Sequence, residues 1–403
     1  MVNVIGMGYI GLPTALIIAS AGKEVTGSDI KEDVVDSLNA GSLTFEETGI
    51  TDLYKTAVEN GIVFKTGCVE ADIYIVAVPT PYIESSKKID ACYIERAVLE
   101  ILPICRDGAV IVIESTVSPG TIDSVIRPII KQSSNKVVHI AHAPERIIPG
   151  NMLHELVNNS RTIGVDSFKT GDALKKLYGS FCKGEIILTD IRTAEMTKVV
   201  ENIFRDINIA LANELAKICR FGDMDVYEII SIANKHPRVN ILSPGPGVGG
   251  HCISVDPWFL VGDYPGLANI ILAARKINDS MPEFVLKRIR DIMDLHSIKI
   301  CRVGLYGLTY KENVDDTRES PTLQLLECMR LHLAESLKVY DPYVKVNTVE
   351  NQYHSLEKFL EAVDLVVIMV GHLEIMEKEG TLSDKIILDT RNILGDREGV
   401  YHL

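Results

Sequence analysis

A single cysteine, Cys252, stands near the end of a glycine-rich segment that reads GPGVGGHCISVD from Gly245 to Asp256. A thiolate is a strong nucleophile and can attack a carbonyl carbon. Glycine-rich loops more often bind phosphate through backbone N–H groups, which requires no cysteine. Most cysteines outside disulfides are small buried apolar residues. Three interpretations of the segment are therefore open: a loop that positions a nucleophile, a loop that binds an anion, and a simple turn. The rest of the sequence must distinguish among them.

A second glycine pattern, Gly6-x-Gly8-x-x-Gly11, lies between a strand-like apolar run and a helix-like run. Asp29 ends the next strand-like run, 18 positions after Gly11, close to the spacing of about 20 expected for a carboxylate that binds a dinucleotide ribose. Such a turn binds a pyrophosphate at the helix N-terminus. The pattern predicts NAD rather than NADP, because Asp29 would repel a 2′-phosphate. The alternative is a glycine turn without a ligand.

Together, a dinucleotide site and a presented thiol indicate a specific chemistry. Hydride transfer from an alcohol gives an aldehyde, and a thiolate can capture that aldehyde as a thiohemiacetal. A second hydride transfer gives a thioester, from which water releases an acid. Two alternatives are a two-electron dehydrogenase in which Cys252 is structural and a non-catalytic NAD-binding regulator. The presence of both Lys198 and Cys252 argues against the regulator.

Three polar residues, Lys198, Asn202 and Arg205, are spaced i, i+4 and i+7 in a long helix-like run and are expected to share one helix face. A solvated polar face is the usual explanation for such a triplet. Apolar residues surround this one, however, and asparagine is a poor residue within a helix unless it has a partner. Spacing alone leaves a functional face and a solvated face about equally favoured.

Alternating short apolar runs and helical stretches predict an α/β protein with two Rossmann-like doubly wound domains joined by a long-helix central domain. The helix-like runs Arg192–Phe221 and Leu267–Leu295 form the central part. The predicted domains are residues 1–190, which bind NAD, residues 191–296, which carry the cysteine loop, and residues 297–403, a second α/β domain.

Composition excludes several classes of protein. The 403 residues carry a formal net charge of −14, which argues against a nucleic-acid partner. The eight cysteines show no metal-ligand spacing, so no metal site is predicted. Scattered thiols suit a reducing, cytoplasmic compartment. No apolar run reaches the roughly 18 residues that a membrane span requires, and no membrane partner is expected.

The chain resembles the nucleotide-sugar 6-dehydrogenases, the UDP-glucose/UDP-mannuronate dehydrogenase family, over nearly its whole length. The resemblance implies a UDP-sugar substrate that is oxidised at C6 from alcohol to carboxylate with two NAD⁺. It rests on motifs that occur in the family's order: Gly6 to Pro13, Val78 to Pro81, Glu114-Ser-Thr116, Ala143-Pro-Glu145-Arg146, Lys198-x3-Asn202, Gly249-Gly-His-Cys252-x3-Asp256 and Lys311-x6-Arg318.

The resemblance also implies roles for single residues. Cys252 would be the nucleophile, Lys198 a base or a stabiliser of charge on the C6 oxygen, and Asn202 its assistant. Asp256 would organise water or the lysine, and Glu145 and Thr116 would lie near the thioester hydrolysis step. Residues expected to bind the cofactor are Gly6, Gly8, Tyr9, Ile10, Gly11, Asp29, Thr80, Thr116 and Arg318. Residues expected to bind the substrate are Arg146, Ile147, Lys198, Asn202, Arg205, His236, Arg238, Gly249, Tyr310 and Lys311.

Four features resemble the branch of the family that oxidises UDP-N-acetylaminosugars: the segment Ala143 to Gly150, Arg205, His236-Pro-Arg238, and the segment Pro244 to Cys252. Arg146 or Arg205 would donate to the acetamido carbonyl, which is an acceptor. UDP-N-acetyl-D-mannosamine is the favoured substrate, with UDP-N-acetylglucosamine and UDP-glucose as alternatives. Arg238 would act from a neighbouring subunit, so a homodimer or larger homo-oligomer is expected. In this interpretation the glycines let the backbone approach the sugar and present Cys252.

Overall fold

The structure of the chain, a computed structural model, describes residues 1–148, 150–331 and 337–403. It contains two compact units, Met1–Glu201 and Asn202–Leu403, and one long helix, α8 (Ile191–Phe221), contains the boundary between them. The predicted α/β class with two Rossmann-like domains and a long central helix is confirmed. The predicted three-domain boundaries stay a prediction. No helix in the described part of the chain is both long and apolar enough to cross a membrane.

The first unit contains an eight-stranded sheet of order β3-β2-β1-β4-β5-β6-β7-β8. Its first six strands are parallel and follow the Rossmann order, in which ligands bind beyond the carboxyl ends of the strands where the strand order reverses. Strand β7 is antiparallel to its neighbour β6. The strands are β1 Val2–Ile5, β2 Val25–Asp29, β3 Val63–Thr66, β4 Ile73–Val76, β5 Val110–Ile113, β6 His139–His142, β7 Arg161–Val165 and β8 Ile186–Thr189.

Short, continuously apolar strands form the core of this sheet, because a parallel sheet is covered by helices on both faces. All four residues of β1 and of β5 are buried. The helix that follows the first glycine turn is buried along nearly its whole length, which keeps its N-terminus fixed beside β1. The helices are α1 Gly11–Ser20, α2 Glu32–Asn39, α3 Ile50–Glu59, α4 Cys92–Ile104, α5 Arg127–Ser133, α6 Met152–Asn158 and α7 Phe168–Tyr178.

The second unit contains a six-stranded, fully parallel sheet of order β11-β10-β9-β12-β13-β14, which repeats the reversal of the first sheet. The strands are β9 Val303–Tyr306, β10 Lys338–Tyr340, β11 Gln352–Tyr353, β12 Leu365–Ile368, β13 Ile386–Asp389 and β14 Val400–His402. The helices are α9 Val226–Ala233, α10 Asp256–Asp263, α11 Asn269–Asp279, α12 Met281–His296, α13 Pro321–Leu331, α14 Leu356–Ala362 and α15 Leu373–Glu377.

Candidate functional site

The first glycine turn, after β1, has the shape that a pyrophosphate requires. Gly6 has a φ of +92°, and a Cβ there would lie 2.6 Å from the carbonyl oxygen of Ala77. A Cβ on Gly11 would collide with the carbonyl oxygen of Gly6. A Cβ on Gly8, by contrast, would have no heavy atom of the described residues within 4 Å, apart from its own chain neighbours. Two glycines therefore close the turn, and the third leaves its outer side open to a ligand.

Asp29, the last residue of β2, is tied to this turn. Its Oδ2 accepts a hydrogen bond from the backbone N–H of Met7 (2.8 Å), and its Oδ1 accepts one from Lys31 N–H (3.0 Å). Each carboxylate oxygen keeps a further lone pair that can accept from a ribose hydroxyl. The ring of Tyr9 stacks on Phe45, with centroids 4.4 Å apart. These residues fit the adenosine side of NAD.

Further predicted residues follow neighbouring strands of the first sheet. Thr80 is buried in the segment after β4, and Thr116 is half-buried after β5. Ile10 is partly buried at the start of α1, and Ile147 is buried after β6. They lie beyond the carboxyl ends of parallel strands, where ligands bind in this type of sheet.

Three buried ionisable side chains, Glu114, Glu145 and Arg161, lie together at the same edge of the sheet. The central residue, Arg161, was not predicted from the sequence. Arg161 donates to Glu114 Oε1 (3.0 Å) and also to Glu145 Oε2. The guanidinium lies 4.5 Å from the ring centre of Tyr178. Burial raises the pKa of Glu114 to about 7, although the charge of Arg161 opposes the shift. Glu145 Oε1 also accepts from the N–H of Arg146 (2.6 Å).

The antiparallel direction of β7 explains why Arg161 reaches this edge. His142 at the end of β6 pairs with Gly164, so the first residue of β7 lies beside the segment that follows β6. A parallel strand would have brought its last residue there instead. Nothing in the local pattern of the sequence reports strand direction.

The guanidinium of Arg146 contacts side chains and backbone of the first unit. Its Nη1 donates to Ser160 O (3.0 Å) and Ser160 Oγ (2.9 Å), and its Nη2 donates to Thr162 Oγ1 (3.2 Å). The same Nη2 lies 2.6 Å from Glu201 Oε1. These contacts already use two of the guanidinium nitrogens. Its predicted role in binding the acetamido group stays a prediction.

On α8, Lys198 and Asn202 are buried, whereas Arg205 is exposed. The two alternatives left open by the spacing, a functional face and a solvated face, therefore do not apply to all three residues alike, because only Arg205 is exposed. Asp206, one position further, is fully buried instead and accepts a 2.6 Å hydrogen bond from Arg275. The helix is rotated so that residues four apart face inward, and sequence spacing did not determine that rotation. Arg205 as a substrate ligand stays a prediction.

The cysteine loop packs within the second unit. A Cβ on Gly249 would lie 2.5 Å from Glu319 O and 2.6 Å from Tyr310 Cβ, and one on Gly250 would lie 2.8 Å from the Tyr310 ring. Gly250 has a φ of +85°. These two glycines thus make room for the chain itself, and this explanation differs from the expected close approach of a sugar.

Cys252 is exposed at the end of this loop. Its carbonyl oxygen accepts from Val255 N–H (3.1 Å) and Asp256 N–H (2.8 Å), so a tight turn connects it to α10. Asn202 Nδ2 donates to Asp256 Oδ2 at 2.6 Å. Burial, and then the positive charge of Arg318, lower the pKa of His251. The loop therefore presents a thiol on a braced backbone.

Three predicted ligands, Tyr310, Lys311 and Arg318, lie in the segment between β9 and α13, part of which packs on this loop. The backbone N–H of Gly250 donates to the carbonyl oxygen of Arg318 (2.9 Å). The Nε and Nη2 of Arg318 donate to the carboxylate of Asp316. Tyr310 packs on Gly249 and Gly250. Lys311 follows it, and its carbonyl oxygen accepts from Thr309 Oγ1 (2.8 Å).

His236 and Arg238 are exposed after α9, with Arg238 N–H 3.3 Å from His236 Nδ1. Among residues 1–148, 150–331 and 337–403, no group of three His, Cys, Asp or Glu side chains could hold a metal ion. All eight cysteines lie in the described residues and are thiols rather than disulfide halves.

Three domains of the UDP-glucose/GDP-mannose dehydrogenase family match the chain: the NAD binding domain at residues 1–182, the central domain at 192–280 and the UDP binding domain at 304–396. A UDP-N-acetyl-D-mannosamine dehydrogenase of Methanococcus maripaludis is 43% identical, over 97% of this chain and 92% of that protein. An NDP-N-acetyl-D-galactosaminuronic acid dehydrogenase of Ralstonia nicotianae is 41% identical, over 97% and 96%.

Solved structures agree with these relatives. The UDP-D-ManNAc dehydrogenase of Pyrococcus horikoshii superposes with a TM-score of 0.91 at 38% identity and covers 100% of this chain and 98% of its own. The UDP-N-acetyl-mannosamine dehydrogenase Cap5O of Staphylococcus aureus gives a TM-score of 0.88 at 38% identity, covering 100% of this chain and 97% of its own.

Proposed function

The chain belongs to the UDP-glucose/GDP-mannose dehydrogenase family, and on that premise we propose that it oxidises C6 of UDP-N-acetyl-D-mannosamine to the uronate with Cys252 as nucleophile. As a family member it is an NAD-dependent oxidoreductase that acts on a CH–OH group. The observation that carries the proposal is the braced glycine loop, which exposes Cys252 beside a buried Asp256 that is hydrogen-bonded to Asn202.

NAD, when bound, accepts one hydride in each of the two oxidation steps. Gly6, Gly8 and Gly11 would hold its pyrophosphate, and Asp29 its ribose, for the reasons of shape given above. The Asp29 carboxylate disfavours the 2′-phosphate of NADP by charge repulsion. Arg318 would contribute a positive charge toward the pyrophosphate.

The protein's own groups handle protons and carbonyl chemistry. Lys198 takes the hydroxyl proton as the alcohol becomes an aldehyde, and the Cys252 thiolate then adds to the aldehyde carbon. Lys198 stabilises the negative charge on the thiohemiacetal oxygen, and loss of the second hydride from the thiohemiacetal carbon leaves a thioester. Glu145 removes a proton from water, which attacks the thioester carbon and breaks the C–S bond. Thr116 assists there. The products are a carboxylate and the restored thiolate, and two hydrides have left the sugar.

The names of the relatives support the choice of substrate. The two structures and the archaeal relatives act, by their names, on UDP-N-acetyl-D-mannosamine. We propose that Tyr310, Lys311, Gly249 and Arg205 bind the UDP-sugar from this chain. UDP-N-acetylglucosamine and UDP-glucose are the competing substrates, and a comparison of their kcat/KM values decides among the three.

The proposed partner is a second copy of the chain. Phe204, Leu211 and Ile218 recur every seven residues on α8 and are 63%, 45% and 53% exposed. An exposed apolar stripe of this kind is typical of a helix that packs against a protein partner. We propose a homodimer through this stripe, with Arg238 reaching the site of the neighbouring subunit. A cytoplasmic location is proposed from the eight thiols.

The test of the proposal is Cys252→Ser. A serine hydroxyl is a far weaker nucleophile near neutral pH than a thiol. We expect the variant to bind NAD and UDP-sugar but to form almost no uronate. Acid quench of wild-type enzyme with labelled sugar should trap label on the Cys252 peptide. Cys301→Ser, at another exposed cysteine, is the matched control. Uronate formation by Cys252→Ser at near the wild-type rate would refute the covalent mechanism.

A further inference from the structure

The second unit contains an ion pair that is almost completely buried. Arg275 on α11 is 1% exposed and Asp206 on α8 is 0% exposed, and they meet at 2.6 Å between Nη1 and Oδ1. Arg275 also contacts Asp279 one helical turn later. Burying a charged pair is costly and often adds no more stability than apolar residues of the same volume would. Such a pair therefore calls for an explanation beyond core packing.

The pair reaches one end of the cysteine loop. The Nη1 of Arg275, which binds Asp206, also donates to the carbonyl oxygen of Ile253 at 3.4 Å. Ile253 directly follows Cys252 in the chain. The guanidinium is planar and presents its donors in fixed directions, so it restricts the orientation of the peptide group next to the nucleophile.

The same network reaches the other end of the loop. Asn278 donates to Asp206 at both the backbone oxygen (3.0 Å) and Oδ1 (2.8 Å). Asn213 Nδ2 donates to Asn278 Oδ1 (2.8 Å), and Asn213 Oδ1 accepts the N–H of Gly245 (2.9 Å). Gly245 begins the glycine-rich segment. A continuous chain of hydrogen bonds, buried except for the partly buried last one, thus joins the first residue of the segment to the residue after the thiol.

One face of α8 supplies three of the buried polar residues that support the loop. Asn202, Asp206 and Asn213 are buried and lie at i, i+4 and i+11, spacings that stack residues along one side of a helix. Asn202 holds Asp256, beyond the thiol. Asp206 acts on the loop through Arg275, and Asn213 binds the N–H of Gly245 directly. The glycines make the segment intrinsically mobile, so outside contacts must supply its rigidity.

We propose that the Asp206–Arg275 pair is a positioning device that holds the Cys252 loop in the geometry needed to capture the aldehyde. The inference rests on the proposed thioester chemistry. In the proposed mechanism the pair touches neither substrate nor cofactor, and it acts through the Ile253 peptide. When the pair is removed, the first oxidation continues, but the thiol meets the aldehyde less often and free aldehyde leaves the enzyme.

The variants are Arg275→Met and the double variant Asp206→Asn/Arg275→Met. The single change leaves Asp206 buried without its charge partner, which can prevent folding. The double change removes the charges of both Asp206 and Arg275 at nearly constant side-chain volume. It can therefore be tested even if the single variant does not fold. The control is Arg288→Met. Arg288 is also buried in the second unit, but it contacts Asp291 and the carbonyl oxygen of His402.

Hydrogen exchange in the absence of substrate measures the loop directly. We expect amide exchange in residues 245–256 to rise about 10- to 150-fold, the factor for one lost hydrogen bond to a charged group. Exchange in β9 should stay at the wild-type rate, and Arg288→Met should leave the loop unchanged. Wild-type exchange in the loop of both Arg275 variants would overturn the proposal.

Product analysis with an aldehyde trap measures the consequence. Semicarbazide added during turnover of UDP-N-acetyl-D-mannosamine should capture sugar aldehyde from the double variant, and the yield of NADH per uronate should rise above two. A purely structural role would lower the rate but leave the ratio at two, and that result would refute the proposal. If the Cys252→Ser test failed, the thioester chemistry would fall, whereas the exchange data would still decide whether the pair holds the loop.

Discussion

Asn202 on α8 donates a 2.6 Å hydrogen bond to the buried carboxylate of Asp256, four residues after Cys252. Asp256 is also the first residue of α10, where a negative charge is stabilised by the helix dipole. The contact joins a long rigid helix to the start of the element that follows the thiol. Two residues 54 positions apart in the chain therefore fix the far side of the cysteine loop.

Replacing Asn202 with alanine should reduce activity more than stability. The change removes a hydrogen bond to a carboxylate, whose loss costs roughly 1.5–3 kcal/mol, or about a 10- to 150-fold drop in kcat/KM. Steady-state kinetics with UDP-N-acetyl-D-mannosamine and a thermal melt measure the two effects. Asn208→Ala is the control, because Asn208 lies on the same helix but binds residues 240 and 242. An Asn202→Ala enzyme with wild-type kcat/KM would contradict the expectation.

Asp29→Asn should weaken the preference for NAD. The substitution retains one acceptor oxygen for Met7 N–H but removes the charge that repels a 2′-phosphate. The ratio of kcat/KM for NAD to that for NADP is expected to fall about 10-fold or more. Asp33→Asn, an exposed acid in the first turn of α2, should leave the ratio unchanged. An unchanged ratio in Asp29→Asn would show that other groups select the cofactor.

Selectivity for the N-acetyl group should depend on Arg205 more than on Arg146. The Arg146 guanidinium is bonded to Ser160, Thr162 and Glu201, whereas Arg205 is exposed. Arg205→Ala should lower kcat/KM for UDP-N-acetyl-D-mannosamine relative to UDP-glucose by about 10- to 150-fold. Arg146→Ala should reduce the melting temperature but change this ratio little. A larger loss of selectivity in Arg146→Ala would reverse the assignment.

The pH dependence of stability should contain a contribution from Glu114. Burial raises its pKa to about 7, well above the value near 4.5 of an unfolded glutamate. The folded state therefore binds the proton more tightly, and this contribution is complete below about pH 4.5 and is lost as the pH rises through 7. Glu114→Gln does not titrate. Its melting temperature minus that of wild type should be more positive at pH 8 than at pH 5, and a pH-independent difference would contradict the raised pKa.

Mixed dimers test the proposed role of Arg238. Equal mixing of Arg238→Ala and Cys252→Ala subunits gives about half heterodimers, each with one complete site if the arginine is borrowed from the neighbour. About a quarter of wild-type activity should return, whereas each variant taken alone through the same procedure should stay inactive. Stable heterodimers without activity would place Arg238 in its own subunit's site.

Features that depend on short stretches of chain could be predicted from the sequence alone. The Gly6-x-Gly8-x-x-Gly11 turn, the position of Asp29 and the two α/β halves follow from local spacing and from apolar runs of strand length. The sequence also indicated a presented thiol, because a cysteine in a segment so rich in glycine is unusual. In the structure Cys252 is exposed at the end of that segment. The family motifs extended this prediction to a dehydrogenase, and the relatives confirm that class.

The tertiary structure decided which polar groups meet. Helix periodicity places both Arg205 and Asp206 one turn after Asn202, and only packing decides that Asp206 is the buried one and pairs with Arg275. The antiparallel direction of β7 brought Arg161 between two glutamates that follow other strands. These contacts join residues 16 to 69 positions apart, and their existence depends on strand direction and helix rotation. Both quantities are set by the packing of whole elements, and for that reason spacing within a segment cannot report them.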